Sequence, residues 1–475
     1  MKIYCFIWLL LFSTIANATN HEAASIEEAN HWLNDSKPND TITLKDGVYK
    51  NAIIKFTNNN IVFIAQHLGQ VFFQENSTLN FAGENNKVEG FVWQNGGKDL
   101  NTKSVIEFKN GSNVSNHSTL INCAIQDYNT TDLNTDNKWV SIFGQYNMVT
   151  QCLFKSKFNR GATLVVWLDG KTEAHHTITY NYFLDRQNGP NADNGLESMR
   201  IGDSKTSFTP AHCVVALNRF EQCDGEIEII SNKSCNNSYL HNSFVNCNGG
   251  LTLRHGNNCL VDGNFFDGMD KPKSYGIRFI GEGHIAINNY FYQLHGAPSE
   301  AFRAPVTILN GLVNTPLNGY YQVRRAVIAN NVFVNCSTPN IRVGAFSKRE
   351  GMTVSPDTIT IKNNLFVDDA GMAGEIYQEL APVDHLYISG NKIIGKYLKA
   401  NNKGFALTGP LDSKFDRCNK ITDGKNYLIY SYQNKEVNKN HAIGANWVEL
   451  SLTNTLKKSK FTVVTFQMVG PIFNR

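Results

Sequence analysis

The sequence predicts an all-β fold, a single-stranded right-handed parallel β-helix with a short N-terminal capping helix. Three observations predict it. The frame Asn-x-Phe recurs behind short apolar runs at Asn181-Phe183, Asn218-Phe220, Asn242-Phe244, Asn264-Phe266, Asn289-Phe291, Asn331-Phe333 and Asn364-Phe366, with a weaker copy at Asn391-Ile393. Its central intervals are 24, 22 and 25 residues, and others stretch to 37 and 42; a near-constant period that tolerates insertions marks a solenoid. Within each copy the apolar pattern has period two, as in Ile359, Ile361, Asn364 and Phe366, which favours strands over helices. Leucine-rich repeats have a similar length, but their regular leucine lattice is missing here.

The elements follow in chain order. Residues 1–18 read as a secretory signal peptide: Lys2, an apolar run from Ile3 to Ile15, and a small-x-small site at Ala16-Asn17-Ala18. Cys5 lies within the apolar run, away from the cleavage point, so no lipid anchor is expected. No later segment approaches the 18 apolar residues of a membrane span. The mature chain is expected to be exported, to periplasm or medium. Ser25, with Glu28 three residues on and Ile26, Ala29 and Leu33 on one face, predicts a capping helix ahead of a first strand at Thr41–Leu44. An open solenoid end would expose strand edges and core, and the helix covers it. The β-helix catalytic domain is expected over 19–400. Residues 401–475 are expected to form the end of the β-helix and its cap, with Lys457, Lys458 and Lys460 on a solvated face.

In stacked coils, residues one period apart form columns about 4.8 Å apart. The repeated Asn is expected to form an amide ladder in a turn and the Phe to fill the bore; both are structural. A net charge of +3 over 475 residues gives no reason to expect nucleic acid, while an acidic polymer needs only a local cationic groove. Of ten cysteines, Cys213, Cys235 and Cys259, and likewise Cys223 and Cys247, recur at the coil period. That points to stacked buried thiols. Export leaves disulfides open, with no pairing fixed by the sequence, and no CxxC zinc motif is present.

The chemistry concentrates in three segments: NGLESMRIG (194–202), EIEIISNKS (226–234) and LTLRHG (251–256). Alternation along 226–229 is expected to send Ile227 and Ile229 inward and Glu226 and Glu228 outward, roughly 7 Å apart. Two like charges repel, and a hard divalent cation such as calcium would reward keeping both; Asn194, about one coil plus a loop earlier, supplies a third oxygen. Lys233 follows at the turn. Positive charge nearby disfavours an ammonium ion, and a neutral amine is a competent base. Arg254, 21 residues after Lys233, and Arg278 and Arg200 at similar spacing are expected to form a cationic column on the glutamate face. His255 either binds substrate or caps the turn. The bland alternatives are solvated glutamates, a solvated lysine and a salt-bridge ladder.

These segments, with 309–323 (LNGLVNTPLNGYYQV), resemble polysaccharide lyase family six, which includes alginate lyases and chondroitinase B, and the wording is closer to the alginate lyases. The resemblance runs from about residue 35 to 370. It implies a calcium-using right-handed parallel β-helix. Asn194, Glu226 and Glu228 would be calcium ligands, Lys233 the Brønsted base and Arg254 the Brønsted acid. Arg200, His255 and Arg278 would bind neighbouring carboxylates. Leu196 departs from the pattern, where a small residue is expected. The implied activity is calcium-assisted β-elimination of a 1,4-linked uronate polymer, alginate. The chain is expected to act as a monomer, and its charge and hydropathy give no reason to expect a nucleic-acid partner or a membrane anchor. Guanidinium rarely gives up its proton, so charge stabilisation with another proton donor is a fair alternative for Arg254. The competing expectations are a dermatan sulfate lyase of the chondroitinase B type, a mannuronan C5-epimerase, a glycoside hydrolase using Glu226 and Glu228, and a non-catalytic glycan-binding β-helix.

Overall fold

A computed structural model of the chain describes residues 18–189, 194–297, 299–337, 339–346, 351–368, 371, 375–395 and 404–407, with the backbone of two further strands, Phe415–Thr422 and Lys425–Tyr432. The expected signal peptide and most of 401–475, including Lys457, Lys458 and Lys460, lie outside the described residues.

Short strands recur because each run of two or three apolar residues ends in a residue that tolerates positive φ. Asn181, Asn218, Asn242, Asn289, Asn331 and Asn364 are each preceded by such a residue (Tyr180, Leu217, His241, Asn288, Asn330, Asn363), with φ between 53° and 57°, and Asn264 and Asn391 by Gly263 and Gly390 at 68° and 64°. The chain bends there and starts the next strand. Among the described residues, three parallel sheets of 14, 14 and 12 strands result, and nearly every strand pairs with those one coil before and after it. This is a parallel β-helix.

The turn amides form a ladder of eight asparagines. Each Nδ2 donates to the Oδ1 of the next, from Asn181 through Asn218, Asn242, Asn264, Asn289, Asn331 and Asn364 to Asn391, at 2.9–3.0 Å. Each Oδ1 also accepts the backbone N–H of the asparagine before it. The polar groups of a sharp, buried turn are thereby satisfied, as burial requires. Beside the ladder, Phe154, Phe183, Phe220, Phe244, Phe266, Phe291, Phe333 and Phe366 stack at 4.6–5.0 Å inside the bore.

The capping helix is Ile26–Asp35, with Ser25 Oγ accepting the Glu28 N–H and Ala29 and Leu33 buried. Thr41–Leu44 is not the first strand: Asn20–Ala23 precedes the helix and pairs in parallel with it. Only Ala23 of that strand is buried, so it carries no apolar alternation from which to read a strand. The eight described cysteines are buried and free; Cys223 N–H points at Cys247 Sγ one coil on, at 3.4 Å. Among the described residues no helix is long and apolar enough to cross a membrane.

Candidate active site

The outer face of the 12-stranded sheet carries the chemistry. Its coils align Arg200 with Ser231, Ser231 with Thr252, Thr252 with Arg278 and Arg278 with Thr307. The inward positions between them, Ile201, Leu251, Leu253, Ile277 and Phe279, are fully buried. Gly256 ends the Arg-His segment at φ 86°, where a Cβ would lie 2.2 Å from the Ser234 carbonyl; only glycine turns the chain there.

Strand Glu228–Lys233 is bulged between Glu228 and Ile230. Ile229 and Ile230 both enter the bore, whereas Ile227 packs outside with Ile280 and Phe302. The expected inward Ile227 is therefore wrong: simple alternation fails across a bulge, where two residues oppose one. Glu226 and Glu228 do share the outer side, both lining a cleft of about 770 Å³. The bulge brings the Ser231 hydroxyl onto Glu228 Oε2 at 2.5 Å.

Of the eight predicted site residues, Asn194, Glu226, Glu228, Lys233, Arg254, His255 and Arg278 line this cleft, and Arg200 does not. The expected cationic column also breaks. Arg200 aligns with Ser231 and stacks on Trp167 at 5.0 Å, while Arg254 falls beside the second register shift, between Asn232 and Lys233, and leaves the ladder. Arg278 is buried and donates Nη2 to Glu228 Oε1 at 2.5 Å. Arg254 Nε is 3.8 Å from the same oxygen, Nη1 donates to the Gly319 carbonyl at 2.7 Å and Nη2 to the Asn318 carbonyl at 3.1 Å. The 309–323 segment thus reaches across the cleft rim to hold Arg254.

Glu197 was missed by sequence reasoning, although it lies three residues after Asn194. It is almost wholly buried, and its Oε1 sits 3.8 Å from Lys233 Nζ while its Oε2 has no hydrogen-bond partner. Burial, then the Glu197 and Glu228 charges, push the Glu226 carboxyl well above the usual range. Burial also acts to raise Glu228, but Arg278, Arg254, Lys233 and the Ser231 hydroxyl outweigh it and hold that carboxyl below the usual range. Burial, then Arg254 and Lys233, lower His255 to about 3. His255 is consequently a neutral hydrogen-bonding group near Ser204 Oγ (3.3 Å) and adds no positive charge for an anion.

An all-oxygen set of Asn194, Glu226 and Glu228 suits a hard divalent cation. The unpartnered Glu197 oxygen and the elevated Glu226 carboxyl fit a place where positive charge belongs. Among the described residues no three His, Cys, Asp or Glu groups are already gathered as a cage, and Glu228 would exchange its Arg278 or Ser231 contact to become a ligand.

The family model for chondroitinase B matches residues 23–413. The PL6 family alginate lyase AlyGC superposes with TM-score 0.80 at 29% identity, covering 95% of this chain and 58% of that one; the chain therefore spans little more than half the length of AlyGC. The PL6 family polysaccharide lyase Pedsa3628 from Pseudopedobacter saltans gives TM-score 0.69 at 26% identity, covering 83% of this chain and 98% of that one. A PL6 alginate lyase in complex with a trisaccharide shares the fold, with TM-score 0.73 at 20% identity and coverage of 96% and 95%. No curated protein sequence matches the chain. A family match from the N-terminal cap to beyond the last paired strand of the solenoid, Phe405–Leu407, places the chain in the chondroitinase B family, within the PL6 polysaccharide lyases.

Proposed function

We propose that the protein is an exported alginate lyase that cleaves the 1,4-linked uronate polymer by calcium-assisted β-elimination, leaving a 4,5-unsaturated sugar. One observation carries the reading: Lys233 shares a single cleft with Glu226, Glu228 and Arg254. The alginate lyases among its solved relatives support the substrate. A calcium ion held by Asn194, Glu226 and Glu228 would neutralise the uronate carboxylate and so make the C5 proton more acidic. Lys233 takes that proton, and Glu197 behind it fixes where the amine points. Arg254, held by two backbone carbonyls, presents fixed positive charge to the oxygen that departs from C4; preorganised charge of this kind stabilises a transition state without reorganising. Arg278 holds Glu228 ionised.

The test is ultraviolet absorbance of the unsaturated product on alginate. Lys233→Ala should bind calcium and polymer yet lose turnover by several orders of magnitude, and a strong chelator should abolish activity reversibly. Near-normal turnover by that variant removes Lys233 from the mechanism, and indifference to the chelator removes the metal. The name of the matching family favours a second reading, a lyase acting on dermatan sulfate; unsaturated product from that polymer and none from alginate would select it.

A further inference from the structure

The lyase reading leaves the departing oxygen in need of a proton, and Arg254 is poorly made to supply it. A guanidinium holds its protons far more tightly than a phenol does. Arg254 Nη1 and Nη2 each already donate an N–H, to the carbonyls of Gly319 and Asn318. The same turn delivers a better donor. Tyr320 lines the same cleft as Lys233 and Arg254, its ring 4.3 Å from the Arg254 guanidinium and its hydroxyl within charge range of Arg278.

The turn is built to hold it there. Leu312 N–H donates to the Tyr320 carbonyl at 2.8 Å and Gly319 N–H to the Pro316 carbonyl at 2.7 Å. A Cβ on Gly319 would meet Thr315 Oγ1 at 1.7 Å. Ser207 Oγ reaches the Leu317 carbonyl at 3.4 Å, and Phe208 packs edge-on against Tyr321 at 5.1 Å. The segment is therefore tied to a loop about 110 residues earlier.

Resting on the lyase reading, we propose that Tyr320 is a catalytic residue, the general acid that protonates the leaving O4, with Arg254 and Arg278 stabilising the phenolate. The C5–H bond breaks and its proton goes to the Lys233 amine. The freed electron pair forms the C4=C5 double bond, and the C4–O4 pair departs on O4. O4 takes the Tyr320 proton, and water returns a proton to the phenolate as Lys233 loses its own. No oxidant or reductant is needed. General acid catalysis contributes about 10²–10⁴-fold.

The test compares Tyr320→Phe, which keeps the ring over Arg254, with the unaltered full chain on two substrates. One is alginate; the other is a synthetic uronate carrying 4-nitrophenolate at C4, a leaving group that needs no proton. The expected result is a loss of kcat of at least about 100-fold on alginate and of no more than about threefold on the nitrophenyl substrate. Equal loss on both would make Tyr320 a support for Arg254, and an unchanged rate on alginate would leave it no role in proton transfer; either overturns the assignment. If the unaltered chain itself forms no unsaturated product, the lyase reading fails first and this assignment with it.

Discussion

Arg278 reaches back two coils to place Nη2 2.5 Å from Glu228 Oε1, and both side chains are buried. Breaking a buried pair by removing one partner strands the other charge, at about 3–5 kcal/mol. Arg278→Ala should lose about that much stability in chemical denaturation, and Arg278→Gln less. A change below about 1 kcal/mol would mean that Glu228 is solvated or otherwise paired.

Glu226 should behave as a destabilising carboxylate until a cation arrives. Its folded-state pKa is raised, so the stability its proton contributes is full below the ordinary glutamate value. That contribution is lost as pH rises through the folded value. In chelator, thermal melts of the unaltered protein should decline with rising pH above the glutamate range, whereas Glu226→Gln should melt higher and with a flatter profile. Millimolar calcium should raise the unaltered protein and leave the variant little changed. A variant that melts lower than the unaltered protein in chelator would contradict the pKa direction.

Acid should act through three histidines. His176 and His255 are lowered to about 3 and His284 to about 4, each chiefly by burial. The unfolded chain binds these protons more readily, so stability is full above the unfolded value near 6.5 and falls as pH drops towards 4 and then 3. His284 Nδ1 accepts the Cys259 N–H and His176 Nδ1 the Asn147 N–H, which is the role Asn237 plays towards Cys213. The double variant His176→Asn, His284→Asn should keep those bonds and regain roughly 2–4 kcal/mol at pH 4 relative to the unaltered protein, read by denaturation against pH. An unchanged acid slope would place the sensitivity elsewhere.

A rung removed from the middle of the asparagine ladder should be felt on both sides. Asn264 Oδ1 accepts two N–H groups from Asn242, and its Nδ2 serves Tyr239 and Asn289. Asn264→Ala strands several buried groups, each worth about 1–3 kcal/mol. It should lower the denaturation midpoint more than Asn391→Ala at the ladder's far end, and equal losses would show that rungs act independently.

The scaffold was legible because its repeat is written in residue types with one job each. An asparagine that must bond above and below and a phenylalanine that must stack cannot be exchanged freely, so Asn218 to Asn391 mark the coils directly. Asn20–Ala23 went unseen because a terminal edge strand buries one face of one residue and leaves no pattern. At the site, Lys233 and the glutamates were legible as charges at coil spacing. Glu197 was not, since its meaning comes from burial against Lys233 rather than from spacing. Arg254 was misplaced because counting residues assumes one register, and strand Glu228–Lys233 shifts register at both ends; Arg200 keeps its column, but its guanidinium stacks on Trp167, a contact that spacing does not reveal.

That double shift also separates what the molecule can vary from what it must keep. The neighbouring sheets run through the same coils without slippage, from Val214 through Ser238 to Leu260 and from Arg219 through Ser243 to Phe265. An extra residue in one wall is absorbed where it occurs and is not passed along the axis. The groove can therefore be recontoured residue by residue while the frame behind it stays in step.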